Sequence, residues 1–206
     1  SDITQRPLNL SGSRAYDSTR TASGSDLSFA NIVSGETLGL TGSGVLDSPA
    51  AGSRTIVNTN TLAISDGSGI ATNYTLTNGT LTMTIVPRST TVSGTKTYDG
   101  TTNVASSNLT SFSNLAGSDT LSLSGTGTIS NADVGTGKTV NTSGLTIDNS
   151  SGVGSNYTLS AATVNVTERV IGLSGVRAFD GTNNASSTDL SISNLVSGEN
   201  LTLSGS

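Results

Sequence analysis

Apolar residues recur at every second position in short runs along the whole chain. Leu8 and Leu10 flank Asn9, and Leu38-Gly39-Leu40, Leu62-Ala63-Ile64 and Leu81-Thr82-Met83-Thr84-Ile85 repeat that spacing. Leu121-Ser122-Leu123, Leu145-Thr146-Ile147 and Ala162-Thr163-Val164-Asn165-Val166 do so again. A side-chain period of two belongs to a half-buried strand, with one face toward a core and the other toward water. The Thr, Val and Ile in these runs add strand propensity, and Gly-Ser, Asn-Gly and Asp-Gly pairs punctuate them. No window carries the 3.6-residue period of an amphipathic helix. The pattern predicts about seven short strands per module. Asn78-Gly79, lying between Tyr74-Thr75-Leu76 and Leu81, predicts a hairpin turn.

The runs are ordered by a repeat. Val92-Ser93-Gly94-Thr95-Lys96-Thr97-Tyr98-Asp99-Gly100 has an upstream counterpart in residues 8–18 and a downstream one in residues 171–181. Asp17, Asp99 and Asp180 are thereby spaced 82 and 81 residues apart, and Asn73-Tyr74-Thr75-Leu76 returns 83 residues on as Asn156-Tyr157-Thr158-Leu159. This divides the chain into copies at 1–87 and 88–169 and a partial copy at 170–206. Arg6, Arg88 and Arg169 each stand ten residues before the aromatic of the motif and mark the junctions. The expected fold is all-β: tandem immunoglobulin-like β-sandwich modules of about 80 residues in an extended row, since no long linker separates them. A β-grasp-like module would need a helix, and a parallel β-helix a coil repeat of roughly 20–30 residues. The partial third copy either docks on the second, pairs with another chain, or reflects boundaries drawn out of phase.

Composition narrows the function. With 32% hydrophobic, 3% aromatic and 11% charged residues, the chain is neither charge-rich disorder nor a Gly/Ser linker. The net charge of −5, without any cluster of Lys or Arg, argues against nucleic acid and anionic membrane surfaces as partners. No apolar run approaches the roughly 20 residues of a spanning helix. There is no Cys and no His, which removes disulfides, thiolate chemistry, the usual general base and the usual zinc ligand.

The chemistry-bearing residues recur with the repeat. Tyr16, Tyr98 and Phe179 share one position, Tyr74 and Tyr157 a second, and Phe29 and Phe112 a third, where the last copy has Ile192. Positions that exchange Tyr for Phe, or Phe for Ile, ask for bulk, so the aromatics are expected to fill module cores. Asp17, Asp99 and Asp180, followed in two copies by Gly100 and Gly181, are expected to fix a turn by accepting backbone N–H bonds. The sharper alternative is calcium, with Asp66 and Asp148 in oxygen-rich loops as further ligands. The scarcity of acidic residues and the lack of an Asp-x-Asp-x-Asp-Gly run favour the turn. Glu36, Asp119 and Glu199 recur together as well. As a glycosidase pair they would occur once in a shaped cleft, so turn formation and solubility are the expected roles. Lys96 and Lys138 face Arg14, Arg177 and Arg54 at matching positions, which excludes a shared lysine crosslink. No catalytic residue and no cofactor is expected.

Three ordered motifs identify a resemblance. Lys96-Thr97-Tyr98-Asp99-Gly100-Thr101-Thr102, residues 131–138 (Asn-Ala-Asp-Val-Gly-Thr-Gly-Lys) and Ser155-Asn156-Tyr157-Thr158-Leu159 together resemble the bacterial YDG repeat and are similar to the MBG-type repeats. The first copy departs at Ser18 and in residues 46–52, and the third at Phe179, which points away from an essential tyrosine hydroxyl. The resemblance implies tandem modules of very large secreted proteins at the bacterial cell surface, associated with the outer membrane. Filamentous-haemagglutinin-like adhesins exported by two-partner secretion, active in adhesion and biofilm, are the implied setting. The chain is then a stalk segment that holds a distal binding domain away from the cell, with neighbouring modules as its partners. The alternative makes the modules themselves bind host or matrix glycans and proteins through their Asn/Asp/Thr-rich loops.

Overall fold

The computed structural model describes residues 2–205, and among these the alternating runs are β-strands while α-helix is absent. The fold is all-β, interrupted by five single 3-10 turns. The chain divides into two compact units. One comprises Ser1–Thr91, Phe112–Ser124 and Thr146–Ser160, and the other Val92–Ser111, Gly125–Leu145 and Ala161–Ser206. The first unit thus joins the first repeat copy to two later segments that belong to the second.

In the first unit six strands form one sheet, in the spatial order Thr21–Ser23, Ser43–Leu46, Gly52–Asn58, Thr82–Val86, Leu10–Ala15, Leu27–Phe29. Period-two alternation sends Leu10, Ala22, Leu27, Leu46, Ile56, Met83 and Ile85 into a single core. Each large apolar side chain buried there contributes about 1.5–3 kcal/mol. A separate antiparallel pair, Leu38–Thr41 with Ala63–Asp66, lays Leu40 on the same core beside Phe29 and Leu62. Most pairings in the sheet are antiparallel. The exception joins the first and last strands of the copy, which run parallel with Thr84 opposite Ser13, Ile85 opposite Arg14 and Val86 opposite Ala15.

The Asn78-Gly79 turn forms, with Asn78 at φ 64°, but it does not make the expected hairpin. Tyr74–Thr75, before the turn, pairs in parallel with Arg6–Pro7, and Thr82–Val86, after it, pairs in parallel with Leu10–Ala15. Both sides of the turn therefore follow the same partner segment, and the turn is a bulge in one interrupted strand. The second copy has two residues fewer between its tyrosine and the next junction arginine, and there the strand runs unbroken as Tyr157–Thr167.

In the second unit Gly135–Thr139 pairs antiparallel with residues 163–166 of the strand Tyr157–Thr167, with a bulge between Gly135 and Lys138. The Tyr98 N–H donates to the Thr167 carbonyl at 2.9 Å, repeating the bond from Tyr16 N–H to the Val86 carbonyl at 2.9 Å in the first unit. The third copy contributes the antiparallel pair Gly172–Gly175 with Leu190–Ser193.

One glycine of the repeat is dictated by close backbone approach. A β-carbon at Gly12, Gly94 or Gly175 would stand 1.9, 1.6 or 1.8 Å from the carbonyl oxygen of Asp26, Asn108 or Asp189, the last residue of a 3-10 turn. Gly94→Ala is accordingly expected to destabilise the chain by about 2–3 kcal/mol, the cost of forcing strand and turn apart. Urea denaturation checks it, and an unmoved midpoint would show that the turn gives way freely.

Candidate functional site

The turn at the aspartate is built in the same way in all three copies, after tyrosine in the first two and after Phe179 in the third. A basic side chain three residues before the aspartate pairs with it: Arg14 with Asp17 at 2.5 Å, Lys96 with Asp99 at 2.8 Å, Arg177 with Asp180 at 2.5 Å. The same carboxylate accepts the N–H and the hydroxyl of the threonine two residues on, namely Thr19, Thr101 and Thr182. The residue between takes positive φ, 65° at Ser18, 73° at Gly100 and 78° at Gly181, the region that glycine enters without steric cost. Lys96 is only 4% exposed. Its ammonium donates to the Thr101 carbonyl at 3.0 Å and the Asn103 carbonyl at 2.6 Å, so the buried charge is matched on several sides. The Arg177 bond holds the Asp180 carboxyl below its usual range, aided by Thr182. At Asp99 burial pushes upward, but Lys96 and Thr101 outweigh it and the carboxyl is lowered. At Asp17 the opposition of burial is likewise overcome, by Thr19 and Arg14.

This turn aims its tyrosine at an acid in the next copy. In the first unit Tyr16 Oη donates to Asp119 Oδ2 at 3.0 Å, and Tyr157 Oη donates to the same oxygen at 2.6 Å. The Ala116 N–H donates to Tyr157 Oη at 3.0 Å, and the two rings meet edge to face at 5.4 Å. Asn156 Oδ1 accepts the Ala51 N–H at 2.8 Å, and Arg88 donates to the Tyr16 carbonyl at 3.3 Å. Two loops carry and brace the carboxylate. The Thr120 N–H donates to Ser151 Oγ at 2.8 Å, and the Gly152 N–H to the Thr120 carbonyl at 3.0 Å. In the second unit Tyr98 Oη donates to Glu199 in the same way. Tyr74 Oη donates to Glu36 within the first copy, and Thr37 and Ser68 brace that acid as Thr120 and Ser151 do Asp119. One phenol comes from the acid's own copy and one from the copy before it, so the acid is the seam between copies.

A family profile described as the YDG domain matches residues 4–83 and again residues 80–165. The chain belongs to the YDG domain family. Neither a search of curated proteins nor one of solved structures gave a match. The two YDG matches are adjacent, overlapping at residues 80–83, so the seam at Asp119 joins adjacent YDG copies.

The YDG seam corrects several expectations. Tyr16, Tyr98, Tyr74 and Tyr157 supply hydroxyls as well as bulk; Glu36, Asp119 and Glu199 each close a turn as expected, their N–H donating to the carbonyls of Val33, Ala116 and Val196, and in addition their carboxylates accept the phenols. Phe179, expected in a core, is 95% exposed. The partial third copy meets the second at the bond from Tyr98 to Glu199. Asp66 and Asp148 are not equivalent: Asp66 accepts the Ala71 N–H, and the matching acceptor, for Gly154 N–H, is Asn149. Of the other calcium candidates, Asp17, Asp99 and Asp180 each lie in their own base-paired turn. Among the described residues no three His, Cys, Asp or Glu side chains gather into a group fit to hold a metal. Sequence reading missed the partners of the junction arginines. Arg6, Arg88 and Arg169 donate to the carbonyls of Asn31, Asn114 and Asn194 at 2.9, 2.8 and 2.6 Å, and those asparagines bond back beside the arginine. Their recurrence at 83 and 80 residues was the available signal.

Two outcomes are expected. Lys96→Arg, which copies the other two YDG turns, leaves stability nearly unchanged. Lys96→Met strands Asp99 and two carbonyls and costs about 2 kcal/mol. Chemical denaturation of both variants checks the pair. Burial, and then Asp119, push the Tyr157 phenol up to about 12, while an unfolded phenol ionises near 10. The folded state therefore holds this proton more tightly, so the contribution is intact below pH ~10 and is lost as pH rises toward ~12. Phenolate absorbance followed alongside circular dichroism checks this, and a normal phenol titration in an intact fold would contradict it.

Proposed function

We propose that the chain is a load-bearing stalk segment of a large secreted bacterial surface adhesin, without enzymatic activity. Its copies at 1–87, 88–169 and 170–206 hold a distal binding domain away from the outer membrane, in adhesion and biofilm formation. The tandem YDG match supports a repeat role, and the tyrosine–acid seam gives successive copies a defined joint. The observation that carries the reading is the parallel pairing of Leu10–Ala15 with Thr82–Val86. Tension that enters at the start of the first strand and leaves at the end of the last pulls these strands along their length in opposite directions. Their ladder bonds are then loaded together, in shear, instead of one after another. A chain whose task is to transmit force needs its end strands placed in this way.

Single-molecule pulling tests it. Stretching the full chain from its termini is expected to release roughly 250 Å per copy of about 80 residues, at high force. Because the protein has no cysteine, a second attachment through Ser18→Cys and Val86→Cys peels the same two strands from one end. Rupture there is expected at a several-fold lower force. Equal forces in the two geometries would remove the mechanical argument for a stalk.

A further inference from the structure

The chain holds no cysteine, tryptophan or histidine, and its single methionine, Met83, is buried in the core of the first unit. One-electron oxidation therefore falls on its four tyrosines. Two of these stand together within the first unit. Tyr16 and Tyr157 are each 5% exposed, and among the described residues they are the one pair of aromatic rings in contact, edge to face at 76°. Their hydroxyls converge on a single oxygen, Asp119 Oδ2, at 3.0 and 2.6 Å. The ε-carbons that flank those hydroxyls are thereby gathered at the same point.

One carboxylate oxygen holding two phenols supplies what phenol oxidation requires. Burial, and then Asp119, push both phenols up, so each is neutral and carries its proton. A neutral phenol that gives up an electron becomes a strong acid and has to give up that proton as well. Its acceptor is already within hydrogen-bond reach, and the half-buried Asp119 can hand the proton on to water. A radical formed on one ring then finds the other ring against it, which replaces a collision between chains by a reaction within one.

We propose that the seam is an oxidative cross-linking site, at which a one-electron oxidant from the surroundings joins Tyr16 and Tyr157 as dityrosine. Each phenol gives one electron to the oxidant and its hydroxyl proton, through Asp119, to water. The two radicals pair their odd electrons in a new bond between one ε-carbon of each ring. The hydrogen on each joined carbon then moves to the phenoxyl oxygen, which restores both phenols. The net loss is two electrons, taken by two equivalents of oxidant, and two protons, taken by water. The bond closes residues 17–156 into a loop, so tension that enters at Tyr16 passes to Tyr157 without loading the strands between them. Coupling depends on the seam and not on load bearing. A chain that couples yet ruptures at low force keeps the cross-link and loses only the stalk.

The test exposes the full chain to a light-activated ruthenium tris-bipyridyl complex with persulfate, followed by trypsin and mass spectrometry. Cleavage after Lys and Arg puts the tyrosines on separate peptides: Tyr16 on 15–20, Tyr74 on 55–88, Tyr98 on 97–138 and Tyr157 on 139–169. Expected is a joined peptide of 15–20 with 139–169, two hydrogens lighter than its parts, with dityrosine fluorescence and a yield unchanged on dilution. Tyr16→Phe and Tyr157→Phe each abolish it. Asp119→Asn, which keeps an acceptor but removes the base, is expected to slow coupling roughly tenfold. The urea-unfolded chain serves as control and couples its tyrosines without preference. Coupling that involves Tyr74 or Tyr98 in the folded chain, coupling only between chains, or no joined peptide at an exposure that couples the unfolded chain would each overturn the assignment. Unslowed coupling in the Asp119→Asn chain would overturn the role given to the carboxylate.

Discussion

Asp119 stands half-buried beneath two tyrosine rings, and its charge is tolerated there only because both hydroxyls are turned onto it. A hydrogen bond to a charged group is worth about 1.5–3 kcal/mol net, and a buried charge that loses its donors costs at least as much. The surroundings therefore have to hold two phenols and one carboxylate in place together. The Ala116 N–H fixes one hydroxyl from behind. The edge-to-face contact sets the rings against each other, and the Thr120–Ser151 bonds tie the acid's loop to its neighbour. None of these contacts is large alone. Their value lies in being jointly required.

The Tyr-Asp turn is the other half of the same requirement. A phenol can find a distant acid only if its backbone is already fixed, and Asp17 fixes it by gathering Arg14 and Thr19 around one carboxylate oxygen. The left-handed residue at position 18 then turns the chain away from the tyrosine. The motif reads as three letters, but it works as five residues: base, tyrosine, aspartate, left-handed residue and threonine. The buried Lys96 shows how far the turn is built as one object, since its ammonium holds both ends of it.

The strands were legible from period-two alternation, and the copies from the spacing of Asp17, Asp99 and Asp180. Parallel pairing of the end strands was not legible, because alternation specifies which face is buried and says nothing about which neighbour a strand takes. The Asn78-Gly79 turn misled for a related reason. Its residues do turn the chain, but two extra residues in an otherwise continuous strand produce a bulge with the same chemistry as a hairpin. The seam was concealed by distance: Tyr16 and Asp119 belong to different copies, so neither the local motif nor the repeat alignment sets them side by side. Phe179 added to this, since one copy without a hydroxyl made the hydroxyl look dispensable in all. The signal present was that Glu36, Asp119 and Glu199 are all acids in a chain where acids are scarce.

The joint pairs unlike groups, a tyrosine of one copy with an acid of the next, so the contact is heterologous and has a direction. The first two copies each carry both halves, Tyr16 with Glu36 and Tyr98 with Asp119. A gene encoding such an array can therefore gain or lose whole repeats by unequal recombination, wherever the exchange falls within the period, and each interior surface still meets its complement. Length becomes a quantity that drifts or is selected without redesign of any interface. A substitution such as Phe179 then alters one joint locally and leaves the grammar of the array intact.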